Sequence, residues 1–336
     1  MKWSKRLGIG LSSIALLLIV WSATAAIVYG PEYVRRVLVS RESSVDDYLD
    51  RFPLSPLFAS ATPFSFDEAL DEDAVRSVFE RALDVENFDR FLSDAETQAL
   101  IVIKDDAIVY EEYFNGTSRD SAVTSFSVAK SFDSALIGIA IDEGFVGGVD
   151  DPITDYLPEL GERNPGFEAI TIRDLLRMAA GLEYRELRWF LFNGDDPLTT
   201  YYPDQREISL ENTRIVDPPG QYFNYNKYHP QLLGMILERA TGMSVTEFTQ
   251  TRLWDRIGME YDGAWALDSE ESRFEKMEAG LNARAIDFAK FGRLFLNEGI
   301  WNGEQVVSAE WVEESTSLDP TTQNEAYYSR SFGPDV

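Results

Sequence analysis

Residues 131–143 limit what this chain can become more than any other stretch. Phe132, Ala135, Leu136, Ile137, Ile139, Ala140 and Ile141 make them a nearly unbroken apolar run, closed by Gly144. That pattern predicts a buried helix with a glycine C-cap. Ser127-Val128-Ala129-Lys130 stands at its start, after the polar, turn-prone Thr124-Ser125-Phe126. Residues three apart on a helix share a face, so Lys130 is expected beside Ser127. Free N–H groups and the positive dipole end at a helix start favour negative charge developing at Ser127. Burial against apolar neighbours is expected to lower the lysine pKa towards the range where a neutral amine acts as a base. The pair is chemically sufficient to begin an acyl transfer. Ser-x-x-Lys alone is a weak motif, and a helix N-cap serine followed by a surface lysine is the plain alternative. Yet lysine occurs only as Lys2, Lys5, Lys104, Lys130, Lys227, Lys276 and Lys290. A solvated charge is not expected to open the most apolar helix of the soluble part.

Composition removes competing chemistries. The 336 residues include no cysteine and one histidine, so thiol nucleophiles, zinc–cysteine sites and disulfides are excluded. A Ser-His-Asp triad would need His229, which directly precedes Pro230, and no Gly-x-Ser-x-Gly elbow supplies its serine. His229 reads as a loop or helix-start residue without a catalytic part. The formal net charge of −28 and pI near 4.3 repel phosphates, which disfavours a nucleic-acid partner. Abundant carboxylates and arginine in excess of lysine fit either adaptation to salty surroundings or an ordinary solvated surface.

The N-terminus reads as a membrane signal. Lys2, Lys5 and Arg6 form a basic patch before an uncharged segment, residues 7–30, long enough for the about 20 residues a bilayer crossing needs. Residues 1–30 are therefore expected to be a cytoplasmic basic patch and transmembrane anchor, with the remainder outside the cytoplasm. A cleaved signal peptide is the competing reading, since Ala23-Thr24-Ala25 resembles a processing site. Residues 31–65 read as a spacer with Pro53 and Pro56, and residues 66–336 as the main domain. Residues 66–91 have helical spacing. Residues 98–114 read as a β-hairpin turning at Asp105-Asp106. From Asp150 to about Glu314 the pattern is mostly helical, with Thr171 near one helix start. Residues 182–219 are long, aromatic and irregular, as segments bordering a functional site often are; a core-packing excursion is the alternative. Strand signals are nearly confined to the region before Ser127.

A second constellation runs from Pro218-Pro219-Gly220 through Tyr222-Phe223-Asn224-Tyr225-Asn226-Lys227 into the helix-like stretch around Leu233-Gly234. A tyrosine loop before a buried helix can deliver a phenol, which works as acid or base once ammonium groups stabilise its phenolate.

With these blocks in order, the chain resembles the serine β-lactamase-like superfamily: class C β-lactamases, penicillin-binding DD-peptidases, family VIII esterases and 6-aminohexanoate-dimer hydrolases. The likeness rests on residues 125–132, on Asp151-Pro152 with Tyr156-Leu157-Pro158, and on Asp174-Leu175-Leu176 leading to Met178-Ala179-Ala180-Gly181-Leu182. The Tyr225 loop and residues 279–292 extend it. It is nearest to the 6-aminohexanoate-dimer hydrolase and esterase branch. The family's second box is Tyr-x-Asn. Tyr222-Phe223-Asn224 fits it literally, but Tyr225 has the spacing to Gly234 that resembles the family, and is preferred. Lys227 then replaces the family asparagine, which bears on β-lactam or peptidoglycan recognition.

The resemblance implies an α+β fold, a sheet-plus-helix region meeting a mostly helical subdomain. It implies that Ser127 attacks a carbonyl, Lys130 takes its proton, Tyr225 serves as acid and base, and the Ser127 N–H is one oxyanion donor. The substrate would be a small-molecule amide or ester, with no metal or organic cofactor needed. The family's third box, on a late β-strand that supplies the second oxyanion N–H, is not found before Val336. The late C-terminal strands are expected to be lacking with it. A β-lactamase or DD-peptidase proper, and an inactive membrane-anchored remnant, are the alternative readings.

Overall fold

Gly30 separates the first two helices, α1 (Lys2–Tyr29) and α2 (Pro31–Ser40), by adopting a positive φ of 88°. The computed structural model describes residues 2–40, 51–185, 192 and 194–318, of which residues 2–15 and 40 are described by backbone alone. The uncharged N-terminal segment is thus helical, but the expected transmembrane span is not supported. Among the described residues no helix is long and apolar enough to cross a membrane. The described end of α1 instead lies partly against the main body. Trp21 meets Phe192 edge-on at 5.5 Å, Ala25 is buried with Tyr33, Val34 and Val37, and the Tyr33 hydroxyl donates to the Phe192 carbonyl at 3.0 Å.

The region expected to be a spacer contributes β1 (Leu54–Leu57). After β2 (Asp67–Glu68), the helical spacing of 66–91 resolves into α3 (Glu72–Leu83) and α4 (Phe88–Asp94). The hairpin is β3 (Ala99–Lys104) and β4 (Ala107–Tyr113). Asp105 and Asp106 both take positive φ, 51° and 61°, as a two-residue turn matched to strand twist requires. β5 (Val123–Thr124) leads to α5 (Ala129–Asp142), and Gly144 adopts φ 77° just beyond its end.

Next come α6 (Pro158–Arg163) and α7 (Ile172–Leu176). Thr171 and Asp174 close a reciprocal capping box at the start of α7. The stretch 182–219, expected to be irregular, contains α8 (Asp195–Tyr201) and α9 (Gln205–Asn212); its Trp189 and Phe190 lie outside the described residues. α10 (Tyr228–Thr241) and α11 (Val245–Thr249) follow, then β6 (Gly263–Ala266), β7 (Leu281–Ala283), α12 (Ala285–Leu296), β8 (Ile300–Trp301), β9 (Glu304–Gln305) and α13 (Ala309–Thr316).

Strands therefore do follow the Ser127 helix, contrary to expectation. They are two to four residues long, and Gly263-Ala264-Trp265-Ala266 has no β-branched residue to announce it. β6 and β7 form the middle of a four-stranded sheet ordered β1-β6-β7-β5, while the hairpin belongs to a second sheet ordered β2-β4-β3. Among the described residues the outer edge of β3 has no strand partner. It faces a groove of about 980 Å³, lined also by Val123 and Thr124 of β5 and by Ala285, Phe288 and Ala289 of α12.

The main core gathers around α5. Phe132, Leu136 and Ile139 pack with Leu232, Leu233 and Ile236 of α10 and with Phe291 of α12. The rings of Phe132 and Phe291 stack at 3.9 Å. α5 is therefore covered on several sides, which explains why its sequence is apolar nearly all round.

Candidate active site

Strand β5 carries the chain to the site, where the Ser125 N–H donates to the Leu281 carbonyl at 2.8 Å. The following residue, Phe126, has φ of 44°. Holding a bulky aromatic residue there costs about 1–3 kcal/mol and is a kind of strain that clusters at functional sites. Phe126–Val128 form one tight 3-10 turn, after which α5 begins. Ser127 thus stands exposed at the entrance of α5.

Three side chains meet at that point. The Lys130 Nζ donates to Ser127 Oγ at 3.2 Å, and the Tyr225 hydroxyl donates to the same oxygen at 2.6 Å. The Lys130 Nζ also lies 5.1 Å from the centre of the Tyr225 ring. Of the two tyrosines considered, Tyr225 is the one that reaches Ser127. Lys130 is half-buried rather than enclosed by apolar groups. It lies on the first turn of α5, and its amine also donates to the Glu278 carbonyl at 2.5 Å.

The tyrosine loop rests on the segment after α7. The Asn224 N–H donates to Met178 O at 2.6 Å and the Gly220 N–H to Ala179 O at 2.8 Å. The Asn224 side chain donates to Leu182 O at 2.9 Å. Gly181 is required here on two counts. Its φ is +69°, and a Cβ would lie 2.0 Å from the Asp217 carbonyl oxygen. The ordered block Met178-Ala179-Ala180-Gly181-Leu182 is thus the bed on which Tyr225 is presented.

The remaining candidates lie elsewhere. Lys227 is engaged with α8: its Nζ pairs with Asp196 Oδ1 at 2.7 Å and donates to Thr200 Oγ1 at 2.7 Å. His229 lies in α10, completely buried, with no hydrogen-bond partner on either ring nitrogen. Burial pushes its pKa down to about 3, so the ring is neutral. Among the described residues, no three Asp, Glu or His side chains gather as metal ligands.

Three charged residues behind Lys130 were not singled out from sequence. Asp133 is fully buried and neither carboxyl oxygen has a partner. Burial raises its pKa well above the carboxylate range, against the lowering effect of the Lys130 ammonium. Lys276 and Glu278 form a fully buried ion pair at 2.6 Å, and desolvation lowers the lysine pKa. The carboxylate of Asp133 among the first apolar residues of the run, and the scarcity of lysine, were the available signals.

A separate cavity of about 460 Å³ is lined by residues including Arg173, Arg177, Phe223 and Trp311. Ser127 lines neither this cavity nor the groove beside β3.

Comparison with known proteins accords with this architecture. The chain is 26% identical over 274 residues to 6-aminohexanoate-dimer hydrolase of Paenarthrobacter ureafaciens, covering 77% of this chain and 67% of that protein. It is 29% identical over 135 residues to penicillin-binding protein 4* of Bacillus subtilis, covering 40% and 28%. Among solved structures, a Bacillus anthracis protein assigned as a 6-aminohexanoate-dimer hydrolase superposes with a TM-score of 0.69 at 25% identity, covering 86% and 76%. A penicillin-binding protein from Bacillus halodurans shares the fold at a TM-score of 0.51 and 16% identity, covering 67% and 76%. The family model described as Beta-lactamase matches residues 86–334, and the chain belongs to this serine β-lactamase-like family.

Proposed function

We propose that the protein hydrolyses a small-molecule amide or ester through an acyl-enzyme on Ser127, with Lys130 and Tyr225 as acid and base. One observation carries this reading: an amine and a phenol both stand within hydrogen-bond reach of one exposed hydroxyl, at 3.2 and 2.6 Å. Positioned acid–base groups of this kind typically contribute about 10²–10⁴ in rate.

In the acylation half, Ser127 Oγ attacks the carbonyl carbon as its proton passes to the Lys130 amine. The resulting ammonium is held by the Glu278 carbonyl. The Ser127 N–H, at the start of α5, faces the developing oxyanion. Tyr225 then protonates the leaving amine or alkoxide as the carbonyl–heteroatom bond breaks. In the second half Tyr225 takes a proton from water, the hydroxide attacks the acyl carbon, and Ser127 leaves with the proton held by Lys130.

The amide in the name of the Paenarthrobacter relative, the 6-aminohexanoate dimer, is the first substrate to try. Hydrolysis of that dimer and of p-nitrophenyl esters, each compared with Ser127→Ala, tests the reading. Undiminished hydrolysis by the alanine variant would defeat it. A β-lactamase or DD-peptidase activity is less well supported, because Lys227, which replaces the family asparagine, is tied to Asp196 and Thr200. Location we propose from sequence alone: cleavage at the processing-like Ala23-Thr24-Ala25, after the basic patch, releases the main domain outside the cytoplasm. Fractionation with and without detergent tests that separately.

A further inference from the structure

Two lysines that do not touch Ser127 converge on one residue of α8. Lys276 is completely buried; its Nζ donates to the Thr200 carbonyl at 2.8 Å and to Glu278 Oε1 at 2.6 Å. It also lies 4.4 Å from the centre of the Phe52 ring. Lys227 donates to the Thr200 hydroxyl at 2.7 Å. Each lysine is two residues from a group at the site. Lys227 follows Tyr225, and Lys276 precedes Glu278, whose carbonyl accepts from Lys130. Thr200 therefore receives a tie from the segment that presents the phenol and another from the segment that holds the amine.

Thr200 is itself well anchored. Its hydroxyl donates to the Asp196 carbonyl at 2.8 Å, and Leu198, Tyr201 and Tyr202 of the same region pack in the cluster that contains Tyr33. A buried ion pair is weak evidence of stabilisation, because desolvation offsets its Coulomb energy. Glu278 even keeps one buried carboxyl oxygen without a partner. Stability alone thus gives little reason for the arrangement. We propose that Thr200 is a positioning residue that keeps Lys130 and Tyr225 in mutual register, through Lys276 and Glu278 on one side and Lys227 on the other. The inference rests on the roles assigned above to Ser127, Lys130 and Tyr225.

The test compares full-length Thr200→Val, Thr200→Ser, Lys276→Met and Ser127→Ala, with kcat and KM determined separately on a p-nitrophenyl ester. Thr200→Val removes the hydroxyl that accepts from Lys227, leaving that lysine its pair with Asp196, and keeps the carbonyl used by Lys276. Displacements well below 1 Å at a site of this kind cost about ten-fold. We expect that loss in kcat for Thr200→Val and Lys276→Met, with KM unchanged and thermal melts showing a folded protein. Thr200→Ser, which keeps the hydroxyl, should restore the rate. Should Lys276→Met fail to fold, the two Thr200 variants decide the matter. A wild-type kcat in Thr200→Val, a change confined to KM, or a serine variant as slow as the valine variant would overturn the proposal. In the first of these cases an inactive Ser127→Ala leaves the catalytic reading standing. An active Ser127→Ala overturns both.

Discussion

Gly181→Ala should damage both stability and turnover, for reasons that can be separated. At a φ of +69° any L-residue is strained, by about 1–2 kcal/mol. The new Cβ would also lie 2.0 Å from the Asp217 carbonyl oxygen and 2.9 Å from its carbon. Relieving that overlap means moving backbone, and overpacking of this kind costs about 1–3 kcal/mol more. The sum is about 2–5 kcal/mol. The backbone that must move leads directly into the tyrosine loop, whose Tyr225 hydroxyl is 2.6 Å from Ser127 Oγ. A misplacement of about 1 Å there should lower kcat about 100-fold. Gly116→Ala is the control: its φ is +84°, but no atom lies within 4 Å of the added Cβ. It should lose only the left-handed strain energy and keep full turnover. Urea unfolding and ester hydrolysis measure the two effects. If Gly181→Ala is no less stable than Gly116→Ala and turns over normally, the account of the loop's bed is mistaken.

Other substitutions probe the remaining parts. Lys130→Met and Tyr225→Phe should each lower kcat by about 10²–10⁴, and the double variant should be scarcely slower than the worse single one because the two act as a unit; additive losses in a kinetic cycle would argue against this. His229 is neutral in the folded protein down to about pH 3, whereas it protonates near 6.5 when unfolded. The unfolded state therefore binds the extra proton between those values, so stability is complete above about 6.5 and falls with decreasing pH by about 1.4 kcal/mol per unit. Denaturant titrations of His229→Leu across that window should show a slope smaller by this amount, and an unchanged slope would contradict the burial argument. The outer edge of β3, without a strand partner among the described residues, should drive concentration-dependent self-association. Ala99→Lys, at the groove along that edge, should reduce it in sedimentation, and equal association in both proteins would exclude this edge.

What the sequence revealed, and what it hid, follows the range of the interactions involved. The α5 helix was legible because its apolar run and closing glycine are local signals. The hairpin was legible because Asp105-Asp106 sits between two apolar stretches. Ser127 and Lys130 share a helical turn, so their meeting needed no tertiary information. Tyr225 lies 98 positions from Ser127, and only the ordered blocks of the resemblance pointed to it. Strands β6 and β7 escaped notice because four or fewer residues carry almost no periodicity. The half-buried state of Lys130 was also hidden, since helix position alone does not say which side of the first turn meets solvent. Glu278 reaches the site through its main-chain carbonyl, a contact that no residue type announces. Lys276 carried a fainter sign, as one of few lysines, but its burial depends on Phe52 and Thr200 arriving from two distant segments to join the neighbouring Glu278.

The central claim is that Ser127 becomes covalently acylated. Intact-mass spectrometry after mixing with a slowly deacylating ester, followed by peptide mapping, tests it most directly. The account predicts one acyl group per chain, on the peptide containing Ser127, absent from Ser127→Ala and greatly slowed in Lys130→Met. Turnover of the ester with no adduct on Ser127, or an adduct that persists in Ser127→Ala, would contradict it.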